Sequence, residues 1–298
     1  MCPADFAYAR AGSLEHALGL LAAAQAAGEE AKLLAGGQSL LPMMKLRLAA
    51  PETLIDIGGL AELTGVTAGP AGLTIGAVTT YRALQHDPRI GGALPAVTDA
   101  LAVLADQQVR ARGTVGGCVA HGDPAADLPA VLLALDARLT LTSAAGTRTT
   151  PLDSFLQGIF VTDLAEDEIV TAITLPAAAE GSAYEKFEQP ASHLPLAGVC
   201  AGVTMAGEVI TSARVAVTGV AARPFRALGT ERTLLSAPAA PDSIAAAAAE
   251  VAGDVRPLSD QHASGPFRLH LAEVLTRRAI QRALDRATTF RSDEISWS

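Results

Sequence analysis

This 298-residue chain is poor in cysteine, in aromatic residues and in basic residues. Its three cysteines, Cys2, Cys118 and Cys200, are scattered and form no CxxC pair. They support neither a disulfide framework nor a zinc site. They are too few for an iron–sulfur cluster of the chain's own, which normally takes four thiolates, and they read as small buried apolar side chains. Lys and Arg number 22 against 31 Asp and Glu, a formal charge of −9. That balance lacks the clustered positive charge that phosphate backbones require, so nucleic acid is not expected as a partner. No apolar run approaches the roughly 18 residues of a membrane span, so no transmembrane segment is expected. The first residues show neither a basic stretch nor an apolar signal core. The chain therefore reads as cytoplasmic, with the inner face of a membrane as an alternative position. GxGxxG after a strand, GxxxxGK[ST] and a nucleophile elbow are all missing, which removes Rossmann, P-loop and Ser-His-Asp readings. His86 and His121 have no second ligand at metal spacing, so no metal site is expected.

What is present is half hydrophobic, enough for a sizeable core in two modest domains or one large one. Two glycine pairs stand about eighty residues apart: Ala35-Gly36-Gly37-Gln38-Ser39 and Thr114-Val115-Gly116-Gly117. Each reads as a tight turn rich in free N–H groups, able to cradle a phosphate because glycine permits close approach and positive φ. Either pair alone is equally well a structural turn. Two such turns could hold the two phosphates of a pyrophosphate, which points to a ligand of dinucleotide size.

The surrounding pattern alternates helix and strand. Ser13 reads as an N-cap, with Leu14, Ala17, Leu18 and Leu21 on one helical face and Gly28 as its stop. Strands are expected at residues 31–35 and 54–57, and Ser39 is expected to cap a short helix containing Pro42. A hairpin is expected around Gly69-Pro70-Ala71-Gly72, and a short helix from Thr79 or Thr80. Further helices are expected over 94–106 and 127–135, and strands over 138–142 and 168–175. Residues 176–182 read as a linker. Beyond it come strands at 183–187, 196–205 and 209–220, then helices at 243–251 and 268–286.

The flanks of the glycine pairs carry a resemblance. AGGQSLLPMMKLRLA followed by LIDI, and RARGTVGGCVAHGDPAADLPAVLLALDA, resemble the two flavin-binding loops of the molybdenum hydroxylase flavoprotein subunits. That family includes the medium subunits of aerobic carbon monoxide dehydrogenase and the flavin domains of xanthine dehydrogenase. IGAVTTYRAL, DEIVTAITLP and SAYEKFEQPASH extend the likeness over essentially the whole chain. Two positions depart from it. Gln38 stands where carbon monoxide dehydrogenases often carry His, and His193-Leu194 falls where some members place a Tyr beside the flavin; His193 itself reads as a surface-loop residue.

The resemblance implies an α+β chain: a vanillyl-alcohol-oxidase-type FAD-binding fold of two subdomains, 1–57 and 58–176. A C-terminal α/β domain, 182–288, with antiparallel strands and helices, would follow. It implies that Ala35, Gly36, Gly37, Gln38, Ser39, Thr114, Gly116 and Gly117 hold the FAD pyrophosphate. It places Asp127 near the sugar-alcohol portion, although Asp127 also reads as the N-cap of the next helix. Val170 would border the ring, or be an ordinary inward strand residue. Lys186 would stand near the ring as a cation favouring the reduced flavin, or be a solvated strand lysine. No residue is implied to be catalytic by itself. The partners implied are a large molybdenum–pterin subunit and a small subunit with two-iron two-sulfur clusters, assembled as a dimer of heterotrimers. Electrons would pass from those clusters to FAD and on to a quinone, NAD, oxygen or another carrier. A self-contained flavin oxidase and a flavin-free scaffold subunit are the alternatives.

Overall fold

The computed structural model describes residues 2–176, 179–253 and 255–289. It opens with a small parallel sheet of β1 (Ala7–Arg10), β2 (Ala31–Leu34) and β3 (Thr53–Asp56), in the order β1-β3-β2. Strands that run parallel need a crossover, and α1 (Leu14–Ala27) supplies the one from β1 to β2, which flank β3. Ser13 caps α1, its hydroxyl accepting from the His16 N–H at 3.1 Å, and Gly28 ends it at φ 72°. Ala17 and Leu21 bury the inner face of α1 in one cluster with Ile55 and Ile57. β2 delivers the chain to the first glycine motif, and α2 (Leu40–Lys45) carries it away.

The second sheet has the order β4-β5-β10-β6-β7. Its strands are β4 (Val66–Gly69), β5 (Gly72–Gly76), β6 (Arg138–Ser143), β7 (Gly146–Pro151) and β10 (Ile169–Leu175). The hairpin expected at Gly69–Gly72 forms, those two residues pairing across the turn. Between β5 and β6 run α3 (Tyr81–Gln85), α4 (Pro88–Ala93), α5 (Pro95–Val103), α6 (Gln107–Arg112), α7 (Val115–His121) and α8 (Asp127–Ala134). The single helix expected over 94–106 is corrected. α5 stops at Val103, Ala105 takes φ 43°, and the Asp106 carboxylate caps α6 by accepting from the Val109 N–H at 2.8 Å. α9 (Leu152–Phe155) and the small hairpin of β8 (Leu156–Gly158) and β9 (Val161–Thr162) link β7 to β10.

Of the linker expected over 176–182, Ala177 and Ala178 lie outside the described residues. The third sheet is antiparallel, β11 (Gly181–Glu188), β12 (Pro195–Ala206), β13 (Val209–Thr218) and β14 (Phe225–Arg226) in sequence order. It is followed by α10 (Leu228–Leu234), α11 (Pro241–Ala249) and α12 (Gly265–Thr289). β12 is buried from Pro195 to Val203 without a break. An antiparallel strand shows that only when both sheet faces are covered. The pleat divides its residues accordingly: Val199, Ala201 and Val203 join a core with Leu275 and Ile280 of α12, while Cys200 points the other way into the core holding Leu128 and Leu132 of α8. Among the described residues no helix is long and apolar enough to cross a membrane.

One ion cluster ties these layers together. Asp99 of α5 accepts from Arg282 at 2.6 Å and from Arg286 at 2.7 and 2.9 Å, both on α12, and from the Tyr184 N–H of β11 at 3.2 Å. Its side chain is only 10% exposed. Asp99→Ala leaves Arg282 with Glu185 alone, Arg286 with the Ser182 carbonyl alone and one strand N–H without its acceptor, a loss of about 2–3 kcal/mol. Urea denaturation should show it as a lower midpoint with an unchanged slope. A change below about 0.5 kcal/mol would mean solvent already screens the cluster.

Candidate functional site

The two glycine motifs face one another across a cleft of about 1040 Å³, at the upper end of the size range of small-molecule sites. All five residues from Ala35 to Ser39 line it, as do Thr114, Gly116, Gly117 and Val170. The walls come this close because of Gly36. A Cβ there would collide with the Arg112 carbonyl oxygen and with Gly113, just before the second motif. Gly37 takes φ 73°, the left-handed region that glycine enters without strain. The result is a loop whose amides stay free: among the described residues no protein acceptor takes the N–H groups of Gly36, Gly37, Gln38, Ser39 or Leu40. Ser39 stands at the N-cap of α2, but its hydroxyl makes no capping bond and is free as well.

The second motif is a different object from the turn expected. Thr114 is the N-cap of α7, and Gly116 and Gly117 lie in that helix's first turn without positive φ. Its amides are largely committed. Val115 N–H donates to Thr79 O, Gly116 N–H to Ala77 O at 2.8 Å, and Gly117 N–H to the Thr114 hydroxyl at 3.2 Å. Gly116 is a packing glycine, since a Cβ would overlap Ala77. Gly117 faces the cleft, with the Ala35 methyl opposite. The Thr114 hydroxyl accepts one bond there and still has its own proton to donate.

Several lining residues were not singled out in the sequence. Tyr81 is 93% hidden yet reaches the cleft, with Gly113 packed on its ring. Burial raises its pKa well above the ordinary phenol value, so it stays neutral. Burial likewise pushes the Cys118 thiol up to about 12, with the hydrogen bond to Tyr81 acting the other way. That thiol is unreactive at neutral pH. Phe160 and Val161 enter from the β8–β9 hairpin, and Glu168 and Ile169 from the entry to β10. The Glu168 carboxylate is held by Arg148 at 2.5 and 2.7 Å, which lowers its pKa. Only the tertiary fold assembles this set.

Asp127 and Lys186 are brought together, but away from the cleft wall. Their side chains are 4% and 3% exposed, and Lys186 Nζ lies 3.0 Å from Asp127 Oδ1. Neither lines the cleft. Lys186 also donates to Val103 O at 3.0 Å, at the C-terminal end of α5, and the Tyr184 hydroxyl donates to Asp127 Oδ1 at 2.8 Å. The solvated-lysine reading is therefore overturned, because β11 presses Lys186 against the start of α8. The N-cap reading of Asp127 is off by one: Ala126 is the N-cap, without a side-chain bond, and Asp127 is the first helical residue. The pair sits one layer behind the wall, close enough that the Asp127 charge reaches both Tyr81 and Cys118. His193 is exposed at φ 55° and within 3.2 Å of Glu188, away from the cleft lining.

The chain matches two family models. Residues 4–178 match the FAD binding domain in molybdopterin dehydrogenase, and residues 182–283 match the CO dehydrogenase flavoprotein C-terminal domain. It is 37% identical to the carbon monoxide dehydrogenase medium chain of Hydrogenophaga pseudoflava, covering 95% of this chain and 98% of that one. It is 35% identical to the glyceraldehyde dehydrogenase medium chain of Sulfolobus acidocaldarius, covering 94% and 99%. The solved carbon monoxide dehydrogenase from Hydrogenophaga pseudoflava that lacks the Mo-pyranopterin moiety superposes with a TM-score of 0.91 at 38% identity, over 96% of this chain and 99% of that one.

The buried pair yields a prediction about pH. Burial raises the Asp127 pKa from 3.8 to about 6, with Lys186 and Tyr184 pulling it down. The folded chain therefore holds this proton more tightly than the unfolded chain. The contribution to stability is fully present below about pH 4, falls between about pH 4 and 6, and is level above that. Unfolding free energies of the wild type and Asp127→Asn, measured by urea across this range, should show the wild type losing ground to the variant as pH rises. A difference that is flat or grows with pH would contradict the assignment.

Proposed function

We propose a function that proceeds from one established fact: the chain belongs to the FAD-binding family of molybdopterin dehydrogenases. It is the FAD subunit of a molybdenum hydroxylase family member, an oxidoreductase component. The observation that carries the assignment of the cofactor to this cleft is the row of free amides from Gly36 to Leu40 beside the free Ser39 hydroxyl. Unpaired donors on a closely approached loop suit an anion where no arginine clamp stands ready. The chemistry of the donor set therefore fits a pyrophosphate. Ala35, Gly36, Gly37, Gln38 and Ser39 would hold it from one side, and Thr114, Gly116 and Gly117 would close the other. Val170 would border the cofactor from β10. Asp127 and Lys186 would act from behind the wall, fixing the start of α8 and the end of α5 rather than touching the cofactor. The FAD subdomains would span 1–57 and 58–176, and the C-terminal domain 182–288.

FAD, when bound, supplies the redox chemistry. The protein binds it, orients it and keeps Tyr81 and Cys118 neutral along the wall. In this reading the subunit takes electrons from two-iron two-sulfur clusters of a small partner and passes them to an external acceptor. A large partner carries the molybdenum–pterin centre, and two such heterotrimers pair. The two medium-chain relatives are named for carbon monoxide and for glyceraldehyde. Two substrates on one subunit design support placing substrate choice in the molybdenum partner.

Two outcomes test this reading. Gly37→Val forces a β-branched residue into φ 73°, at a cost of roughly 1–3 kcal/mol. Gly117→Val keeps an ordinary helical backbone and costs at most the Thr114 cap, about 1 kcal/mol. Both should lose FAD on gel filtration, with Gly117→Val keeping near-wild-type thermal stability. Wild-type flavin content in both would remove the loops from the binding site. Secondly, the isolated chain, free of molybdenum and iron, should accept electrons from dithionite and hand them to an artificial acceptor. It should not bleach its flavin with any aldehyde or N-heterocycle. Bleaching by such a substrate would make it a self-contained oxidase, and a colourless chain that cannot be reconstituted would make it a scaffold.

A further inference from the structure

Outside the cleft, α3 and α6 gather positive charge that the chain does not neutralise. Arg82 and His86 are four residues apart, on α3 and its C-cap, and share one helical face with Gln85 between them. Gln107 and Arg110 are three apart on α6 and share another. The two helices pack together, and the Tyr81 N–H at the start of α3 donates to Gly113 O, just past α6, at 2.9 Å. Arg82, Gln85, His86, Gln107 and Arg110 line a pocket of about 210 Å³ between them. None of the five is acidic. Arg89, Arg148, Arg226 and Arg286 each have a carboxylate partner. Among the described residues Arg82 and Arg110 have none. The acids beside the pocket are engaged elsewhere: Asp87 accepts from Arg89 at 2.8 Å, and Asp106 from the Val109 N–H at 2.8 Å. Arg110 is already positioned, its Nη1 donating to Leu104 O and Ala105 O, both at 2.8 Å. Its Nε and Nη2 hydrogens have no acceptor among the described residues.

We propose that this pocket is a second anion site, binding a phosphate group between the Arg82 and Arg110 guanidinium groups. The Gln85 and Gln107 amides and the His86 ring are its further donors. Two cations on one concave wall repel each other, and the field they focus draws anions in. On a chain of net charge −9, a carboxylate-free pocket of this kind runs against the overall composition. Its volume lies below the roughly 300 Å³ at which drug-sized ligand sites begin. It therefore admits one oxyanion group and not a whole nucleotide. A carboxylate brings two oxygens and a single charge. A phosphate brings more oxygens and about two charges, which matches two guanidinium forks from different helices. Free phosphate and the terminal phosphate of a larger molecule share this chemistry. None of the five residues lines the flavin cleft, but both helices lead to it. Tyr81 opens α3 and lines the cleft, and Gly113 follows α6 and stands against Gly36. A phosphate held between Arg82 and Arg110 clips α3 to α6 and so braces that wall from outside.

The test is calorimetric titration of inorganic phosphate into the full chain saturated with FAD, at an ionic strength held constant with chloride. Wild type should bind one phosphate saturably, and sulfate should compete where chloride does not. Arg82→Gln should weaken binding on the order of 10- to 100-fold, the range for a hydrogen bond to a charged group. Arg82→Lys keeps the charge without the fork and should fall between the two. Arg82 is exposed, so both variants should melt like wild type in phosphate-free buffer, and only wild type should gain stability fully when phosphate is added. Arg278→Gln, at an exposed arginine on α12, should change nothing. Glycerol phosphate titrated in parallel separates the two sources. Tighter binding than inorganic phosphate assigns the pocket to a phosphorylated molecule, and exclusion assigns it to the free ion; either supports a phosphate site. No saturable binding to wild type up to about 10 mM phosphate would overturn the proposal. Equal weakening in Arg82→Gln and Arg278→Gln would also overturn it, as an effect of general surface charge. Wild-type affinity in Arg82→Gln would place the phosphate elsewhere on the chain. Because Arg82 lies outside the cleft lining, failure here leaves the flavin reading standing.

Discussion

The site depends on the absence of one side chain. At Gly36 the chain passes so close to the Arg112 carbonyl that no Cβ fits. That contact joins the loop after β2 of the first sheet to the connection between α6 and α7. Remove the close approach and the walls of the cleft separate by at least the width of a methyl group. Gly37 follows in the left-handed region, and among the described residues no protein acceptor takes the amides of Gly36 to Leu40. Leaving backbone donors unpaired is costly unless something outside the chain takes them. In the first motif the amides face the open cleft, where water or a ligand can take them, whereas at the start of α7 Val115, Gly116 and Gly117 all find internal partners. The two motifs look alike in sequence and do different work: one offers donors, and the other builds the opposing wall.

The C-terminal layer serves this arrangement from behind. Its sheet is covered on both faces, by α12 outside and by α5 and α8 inside. α8 starts at Asp127, and α5 ends at Val103. The buried Lys186 reaches both, and Asp99 gathers two arginines of α12 on the far side of β11. The second half of the chain thus sets the position of helices whose loops form the cleft. A buried ion pair of this kind costs more in desolvation than a surface pair, which is why the Asp127 pKa rises in spite of its cation.

Much of this was legible beforehand. The N-cap at Ser13, the left-handed stop at Gly28, the hairpin at Gly69–Gly72 and the long strands of the third sheet follow from local rules: capping chemistry, glycine conformations, apolar runs bounded by turn residues. So did the family, since its motifs are contiguous in sequence. What was hidden is non-local. The spacing of Thr114, Gly116 and Gly117 looks like a turn until Ala77 and Thr79 arrive as acceptors from another segment. The pairing of Asp127 with Lys186 was hidden, because nothing in the sequence says that β11 will press them together. Tyr81 and Phe160 drew no attention, since single aromatics in short elements have no periodicity to betray them. The gap over 94–106 has a local cause that was passed over: Asp106 is a preferred N-cap residue ahead of Gln107 and Gln108, and a capped start implies that the preceding helix has stopped.

The central claim is that the amides of the first glycine motif hold the pyrophosphate of FAD. The most direct measurement is a crystal structure of the chain, or of its complex, with flavin bound. The account predicts pyrophosphate oxygens within hydrogen-bond reach of N–H groups between Gly36 and Leu40, with Gly117 and the Thr114 hydroxyl facing them across the cleft. A pyrophosphate bound elsewhere, with those amides bonded to water or to protein, would contradict it.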